Sequence, residues 1–223
     1  MVNKNVKLVA VDMDGTLLDS GKNAPADFES WVLSHPEIQT VLASGRQYAT
    51  LRDMFPSLNE CLMYVADNGS FVFKQGKMIY SNAISEEDIR WCIEYFGAMP
   101  GLDLILCGAK AAYMKHSSGL AEENGRMYYH SLEFVDSLEE CIGKDIIAKI
   151  AVFIDEYRAE EVYNSLSGIP ETIAAVLSGD SWIDVANRSV SKGSAMEAIE
   201  ESLHIKKEES MAFGDYLNDY DLL

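Results

Sequence analysis

The chain has 223 residues, of which 48% are hydrophobic and 24% are charged, and its formal net charge at pH 7 is −18. This composition is typical of a globular protein with one large domain or two modest ones. The negative charge disfavours nucleic acid and anionic membranes as partners. An anionic small substrate would need a local positive site, which a bound dication and a few basic residues could supply.

Neither a membrane span nor a secretion signal is expected. No apolar run approaches the length of a span, and Met1–Asn5 lead directly into a strand-like stretch without an apolar segment or a cleavage site. The four cysteines form no CxxC pair and have no histidine at ligand spacing, which predicts free thiols in a reducing compartment. We therefore expect a cytoplasmic protein.

Strands and helices alternate along the first part of the chain, which predicts a parallel sheet covered by helices. Turn-forming residues follow each predicted strand, and ligands bind at this edge of open α/β sheets. The predicted elements are strand Val6–Asp12, helix Phe28–His35, strand Gln39–Ala43, helix Tyr48–Met54, strand Leu62–Ala66 and a hairpin of Phe71–Phe73 and Lys77–Tyr80.

The middle of the chain has a different pattern, with strands that follow one another and one strand with a single wet face. Its first helix carries a capping box of Ser85 and Asp88. We interpret residues 83–188 as an α+β domain inserted into a core formed by residues 1–82 and 189–223. Its predicted elements are helix Ser85–Phe96, strands Asp103–Cys107 and Lys149–Ile154, helix Glu156–Leu166, and strands Thr172–Leu177 and Ser181–Ala186.

The first pattern resumes with helix Ser194–Leu203 and strand Glu209–Phe213, and the chain stops at Leu223. A doubly wound sheet would normally continue through another helix and strand, so we expect a core that is truncated at its C-terminus; the alternative is a naturally short end.

Two carboxylates at the end of the first strand carry the strongest chemical signal. Asp12 and Asp14 are two residues apart, so they point to the same side of an extended chain. Such neighbours repel each other in a low-dielectric setting, and a bound cation removes that cost. A hard dication such as Mg²⁺ prefers oxygen ligands and keeps water and substrate phosphate in its shell.

Four segments together resemble the ordered motifs of the haloacid dehalogenase superfamily. Val11–Leu18 (VDMDGTLL) is similar to its first motif and Ala43–Arg46 (ASGR) to its second. Ser191–Gly193 (SKG) resembles the third and Gly214–Asp219 (GDYLND) the fourth. Each segment lies at a predicted strand end or helix start, and the resemblance covers the whole chain.

The long interval between the second and third motifs resembles the Cof-type, or sugar-phosphatase, branch of that superfamily. Asp67–Gly69, Tyr128–His130 and Leu132–Glu133 also resemble this branch. The resemblance implies an α/β fold: a Rossmann-like parallel sheet core (the haloacid dehalogenase fold) with an inserted α+β cap domain that sets substrate specificity.

The resemblance also implies catalytic and metal-binding roles. Asp12 would attack phosphorus and form an aspartyl-phosphate, and Asp14 would serve as general acid and then general base. Mg²⁺ would be held by Asp12, by the main-chain carbonyl of Asp14 and by Asp215. Asp219 would bind the metal directly or orient Asp215 or a water; alternatively, it is only a carboxylate at a helix N-terminus.

The phosphate oxygens would be held by the Ser44 hydroxyl, by the amides of Met13 and Gly45, by Lys192 and by Asn218. Lys192 opens a helix, where a cation gains nothing from the helix dipole, and this favours a functional role.

Five further residues are candidates for contact with the substrate. Arg46 would bind it or form an ion pair with an acidic neighbour. The other four lie in the inserted domain, where a solvated or core role is the alternative. They are Lys110, His116, Tyr129 and His130.

The resemblance implies a magnesium-dependent phosphatase for small phosphorylated metabolites, with sugar phosphates as the main class. Pyridoxal phosphate and flavin or nucleotide monophosphates are further options. One alternative is a sugar phosphomutase of the same superfamily. Another is a non-catalytic phosphometabolite-binding protein, which the abrupt chain end would favour. Dehalogenase chemistry is disfavoured because Asp14 is present. We expect a monomer or a homodimer.

Overall fold

The computed structural model describes residues 5–117 and 119–223. Among them, no helix combines the length and the apolar character that a membrane span needs. The expected lack of a secretion signal concerns residues 1–4, which lie outside the described residues. That expectation and the cytoplasmic location stay predictions.

The described residues form twelve β-strands and six α-helices. In chain order they are β1 Leu8–Asp12, α1 Phe28–Ser34, β2 Gln39–Ala43, α2 Tyr48–Met54, β3 Met63–Ala66, β4 Phe71–Lys74, β5 Lys77–Ser81, α3 Glu86–Gly97, β6 Leu102–Gly108, β7 Ala112–Lys115, α4 Leu120–Tyr128, β8 Leu132–Val135, β9 Ile147–Ile154, α5 Ala159–Ser165, β10 Ile173–Gly179, β11 Trp182–Asn187, α6 Lys192–Leu203 and β12 Ser210–Phe213.

The chain divides into two compact units. The core unit comprises the chain up to Ser81 together with Ser189–Leu223, and the inserted unit comprises Asn82–Arg188. These limits lie within one residue of the predicted domain limits, 1–82 with 189–223 and 83–188. The role of the inserted unit as a cap for substrate stays a prediction.

The core unit is built on a six-stranded sheet in the order β12-β1-β2-β3-β4-β5. β1 pairs in parallel with both β12 and β2, and β2 pairs in parallel with β3. The carboxyl ends of these four strands therefore lie along one edge of the sheet. The loops that follow Asp12, Ala43, Ala66 and Phe213 begin at this edge.

A buried apolar layer joins this sheet to α6. Leu8, Val41 and Val65 point from three neighbouring strands toward Ala195 and Ile199 of the helix, and all five side chains are buried. The helix begins at Lys192, because Ser191 and Ser194 exchange hydrogen bonds in a capping box. Packing of the helix thus fixes where Lys192 reaches the edge of the sheet.

The inserted unit contains a second six-stranded sheet, ordered β10-β11-β9-β6-β7-β8. Its pairs are antiparallel except for β7 with β8. Buried apolar side chains of α3 and α5 pack on one face. The other face carries a second cluster, which includes Ala121 of α4.

Two parts of the inserted unit differ from the sequence-based expectation. Strands β7 and β8 and helix α4 were not predicted. The helix predicted over Glu156–Leu166 is instead a short 3₁₀ segment, Asp155–Tyr157, followed by α5 from Ala159. Tyr157 has a φ of 57°, which an α-helix cannot include.

Gly69 provides a test of the packing between β3 and α6. Its φ is 107°, and a methyl group added there would lie 2.0 Å from the carbonyl oxygen of Ser191. We expect Gly69→Ala to lower the free energy of unfolding by about 3 kcal/mol or more, because backbone strain and overpacking add. Denaturant unfolding followed by circular dichroism measures the loss.

Gly76→Ala is the matched control, because Gly76 has a φ of 74° and nothing lies within 4 Å of an added methyl group. It should lose only about 1–2 kcal/mol, the cost of the left-handed backbone alone. Equal losses in the two variants would contradict the close packing of Gly69 on Ser191.

Candidate active site

A buried cation lies between two buried carboxylates at the edge of the core sheet. The ammonium group of Lys192 donates to Asp12 Oδ1 and, at 2.6 Å, to Asp219 Oδ1. The exposed fractions are 1% for Lys192, 6% for Asp12 and 0% for Asp219, so water supplies little solvation to any of them. Burial raises the pKa of Asp12, and the hydrogen bond from Lys192 partly opposes this effect.

Asp219 also organises the loop that follows β12. Its Oδ2 accepts hydrogen bonds from the amides of Asp215 and Tyr216, both at 3.2 Å. Since its Oδ1 binds Lys192, one carboxylate fixes the backbone beside Asp215 and the position of the lysine. The geometry thus includes the contacts that an orienting role for Asp219 requires.

Three carboxylates could hold a metal ion at this edge. Oxygen atoms of Asp12, Asp215 and Asp219 lie within 4.8 Å of one another. Thr16 Oγ1 donates to Asp215 Oδ1 at 3.1 Å, and Gly15 leaves the room that Asp215 occupies, since a methyl group there would lie 2.4 Å from Asp215 Oδ2. With Lys192 counted, the cluster retains two negative charges, which a hard dication would balance.

Asp14 has surroundings opposite to those of Asp12. Arg46 donates to both its oxygens, from Nε at 3.0 Å and from Nη2 at 2.7 Å, and Lys22 Nζ donates to it at 2.7 Å. The hydrogen bonds from Arg46 are the main reason why the pKa of Asp14 falls to about 2. Of the two roles expected for Arg46, the structure contains the ion pair with an acidic neighbour.

Apart from Lys192 at the start of α6, the predicted phosphate-binding groups lie on the loops after β1, β2 and β12. Ser44 is buried and its Oγ accepts the amide of Arg46 at 3.2 Å, whereas Gly45 is exposed. Met13 buries its side chain beneath the first loop, and its carbonyl accepts the amide of Leu18 at 2.8 Å. Asn218 is exposed and donates from Nδ2 to Asn68 Oδ1 at 3.2 Å. Their phosphate contacts stay predictions.

Three residues at this site, Thr16, Lys22 and Asn68, were not predicted as site residues. Thr16 belongs to the DxDGT motif, so that motif could have indicated it. Asn68 lies in the Asp67–Gly69 segment, which was recognised without a role. Nothing in the sequence marks Lys22, because the loop must turn back on itself to bring it to Asp14.

The inserted-unit candidates have separate surroundings within their own unit. Lys110 donates from Nζ to the carbonyl of Lys144 at 3.0 Å, and His116 stacks on Phe134 with ring centroids 4.5 Å apart. Tyr129 is buried, which raises the pKa of its hydroxyl well above 10, whereas His130 is exposed. Their contact with substrate stays a prediction.

Known sequences that match this chain are those of hydrolases and phosphatases. A sequence model of haloacid dehalogenase-like hydrolases matches residues 9–223. The chain is 29% identical to the 5-amino-6-(5-phospho-D-ribitylamino)uracil phosphatase YbjI of Escherichia coli (strain K12) over 226 residues, which cover 98% of this chain and 82% of the relative. It is 28% identical to the putative phosphatase YkrA of Bacillus subtilis (strain 168), with 97% and 82% covered.

Solved structures share the fold over almost the whole chain. SMU.1108c from Streptococcus mutans UA159 superposes with a TM-score of 0.78 at 26% identity and covers 98% of this chain and 84% of its own. TM0651 from Thermotoga maritima has a TM-score of 0.85 at 22% identity, with 97% and 82% covered. The predicted Rossmann-like α/β fold is thus confirmed, while the expected truncation stays a prediction.

The ion pair of Asp14 yields a pH-dependent prediction. Because the pKa of this carboxyl is lower in the folded chain than its ordinary 3.8, the pair stabilises the fold above that pH and the contribution is lost as the pH falls to about 2. Arg46→Gln should raise the pKa of Asp14 toward 3.8. NMR titration of the carboxyl carbon without divalent cations measures it.

Arg52→Gln serves as the control, because Arg52 pairs with Asp53 at the surface. This variant should leave the pKa of Asp14 unchanged. A pKa that stays near 2 in Arg46→Gln would show that Arg46 does not control Asp14.

Proposed function

The chain belongs to the haloacid dehalogenase-like hydrolases and is a phosphatase, and we propose that it removes phosphate from small phosphorylated metabolites in a magnesium-dependent reaction. Asp12 is the nucleophile of this proposal. The observation that carries it is the contact of buried Asp12 with Lys192 at the carboxyl end of β1. The fixed ammonium group of Lys192 offsets the negative charge of Asp12. An anionic phosphoryl group can therefore approach this carboxylate with less electrostatic repulsion.

In the proposed reaction, an oxygen of Asp12 attacks phosphorus, the bond to the leaving alcohol breaks, and water later hydrolyses the aspartyl-phosphate. Asp14 donates a proton to the leaving oxygen and then takes one from the attacking water. With a pKa of about 2 beside Arg46, Asp14 is ionised at neutral pH. Its role as an acid therefore requires it to leave the guanidinium of Arg46.

The proposed magnesium ligands are a carboxylate oxygen of Asp12, the main-chain carbonyl of Asp14 and a carboxylate oxygen of Asp215. Asp219 supports them through the amide of Asp215. The bound ion supplies positive charge to the phosphoryl group during transfer. Lys192, the hydroxyl of Ser44 and the amide of Asn218 bind the phosphate oxygens, as do the amides of Met13 and Gly45.

The proposed substrate is a phosphate monoester of a sugar or sugar alcohol. Support comes from the Escherichia coli relative, whose name specifies a phosphorylated ribityl group attached to a uracil. A screen of sugar phosphates, nucleotide monophosphates and that relative's substrate, with phosphate release as the readout, tests the class. Conversion of a sugar bisphosphate or monophosphate to its isomer, without phosphate release, would indicate a mutase instead.

Asp12→Asn tests the nucleophile. We expect hydrolysis of p-nitrophenyl phosphate with Mg²⁺ to fall by about 10⁴-fold or more, since an amide cannot form the acyl phosphate. The melting temperature establishes that the variant is folded. Asp27→Asn is the control, because Asp27 is exposed and its side chain caps no helix. Substantial turnover by folded Asp12→Asn would sink the assignment.

Asp215→Asn tests the metal site. Loss of one of few protein oxygen ligands should raise the Mg²⁺ concentration for half-maximal activity by about tenfold or more. It should also reduce the rise in melting temperature that Mg²⁺ produces by binding the folded chain. Exposed Asp136 of the inserted unit provides the control substitution, Asp136→Asn. An unchanged magnesium dependence would remove Asp215 from the ligand set.

A further inference from the structure

The turn after β3 has an unusual backbone at the edge of the sheet where Asp12 lies. Asp67, Asn68 and Gly69 follow one another with φ values of 48°, 55° and 107°. Residues other than glycine seldom adopt this region, and asparagine and aspartate are the types that tolerate it best. Such a conformation persists when surrounding contacts hold it, and it is found often at functional sites.

Those contacts lead to two of the segments that carry the proposed active site. The amide of Asn68 donates to the carbonyl of Ser44 at 2.9 Å, and the amide of Asp67 donates to the carbonyl of Arg46 at 3.0 Å. On its other side the turn packs against the start of α6, since a methyl group at Gly69 would lie 2.0 Å from the carbonyl oxygen of Ser191. The backbone of the turn thus joins the loop after β2 to the segment that carries Lys192.

The side chain of Asn68 completes the connection. Its Oδ1 accepts the hydrogen bond from Asn218 Nδ2 at 3.2 Å. Its amide group also lies over Gly45, because a methyl group there would be 3.1 Å from Asn68 Nδ2 and 3.2 Å from Oδ1. Asn218 is exposed, and an exposed amide without a fixed partner would rotate freely.

We propose that Asn68 is a positioning residue of the phosphate site, which acts through Asn218; this inference rests on the proposed function. An asparagine amide carries two N–H donors. Asn68 accepts one N–H of Asn218 and thereby fixes the rotation of the Asn218 amide group. The second N–H of Asn218 is left for a phosphate oxygen. The side chain of Asn68 also packs over the loop whose Gly45 amide is another proposed donor.

Substitution by glycine separates this role from a purely structural one. Asn68→Gly removes the acceptor but adopts the positive φ at no steric cost, whereas Asn68→Ala removes the acceptor and keeps the strain. We expect Asn68→Gly to be the more stable of the two. Both should nevertheless bind inorganic phosphate, in the presence of Mg²⁺, about tenfold more weakly than the unsubstituted chain. Titration calorimetry gives the dissociation constants.

A double-mutant cycle with Asn218→Ala shows whether the effect passes through Asn218. We expect Asn68→Gly combined with Asn218→Ala to bind phosphate no more weakly than Asn218→Ala alone. Gln75→Gly is the matched control, because Gln75 is exposed, has a φ of 49° and lies in the turn between β4 and β5. It should leave phosphate affinity unchanged. Additive losses in the cycle, or an unchanged affinity in Asn68→Gly, would overturn the inference.

Hydrolysis of p-nitrophenyl phosphate, measured on the same proteins, separates the two proposals. KM should rise in Asn68→Gly by more than kcat falls, since the lost interaction serves phosphate binding. If the unsubstituted chain binds phosphate but hydrolyses nothing, the proposed function fails and the cycle still decides the role of Asn68. If it hydrolyses the ester and Asn68→Gly binds phosphate normally, only the role of Asn68 fails. If it binds no phosphate, both fail.

Discussion

The buried ammonium of Lys192 between Asp12 and Asp219 is the interaction on which the rest of the site depends. Removal of Lys192 would leave two carboxylates facing each other in a poorly solvated place, which costs several kcal/mol. The three groups come from the end of β1, the start of α6 and the loop after β12. Their contact therefore requires β12 to pair beside β1 and α6 to pack across the sheet. Fold and site constrain each other at this one point.

Much of the core unit could be predicted because local and long-range preferences agree there. β2 and α2 were predicted with the bounds observed, since an apolar run ends at Ser44 and Gly45 before helical spacing begins. In the inserted unit they conflict. α4 contains Asn124 and Gly125, both poor helix formers, and its pattern is weak. Gly125 is tolerated because its bare face lies against Met114 and Leu132, which only the folded unit brings there.

The residues that form the site were easier to predict from the sequence than the contacts between them. Asp12, Lys192, Asp215 and Asp219 were predicted together, and the structure brings them into one cluster. The ion pair of Asp14 with Lys22 and the hydrogen bond to Asn68 were not predicted. Both depend on residues with a left-handed backbone, at φ of 63° and 55°, and single-residue patterns do not reveal which residues adopt it.

The two carboxylates of the DxD pair have opposite pKa shifts because their environments differ. Asp12 is buried and its pKa is raised, whereas Asp14 is half exposed and two cations lower its pKa. Lys192, Arg46 and Lys22 thus gather around this pair in a chain whose net charge is −18. An anionic substrate is repelled by the molecule as a whole, so its affinity must come from positive charges that lie next to it in the site. In the proposed reaction, Asp14 leaves Arg46 and Lys22 when it takes up a proton, and the two cations can then face such a substrate.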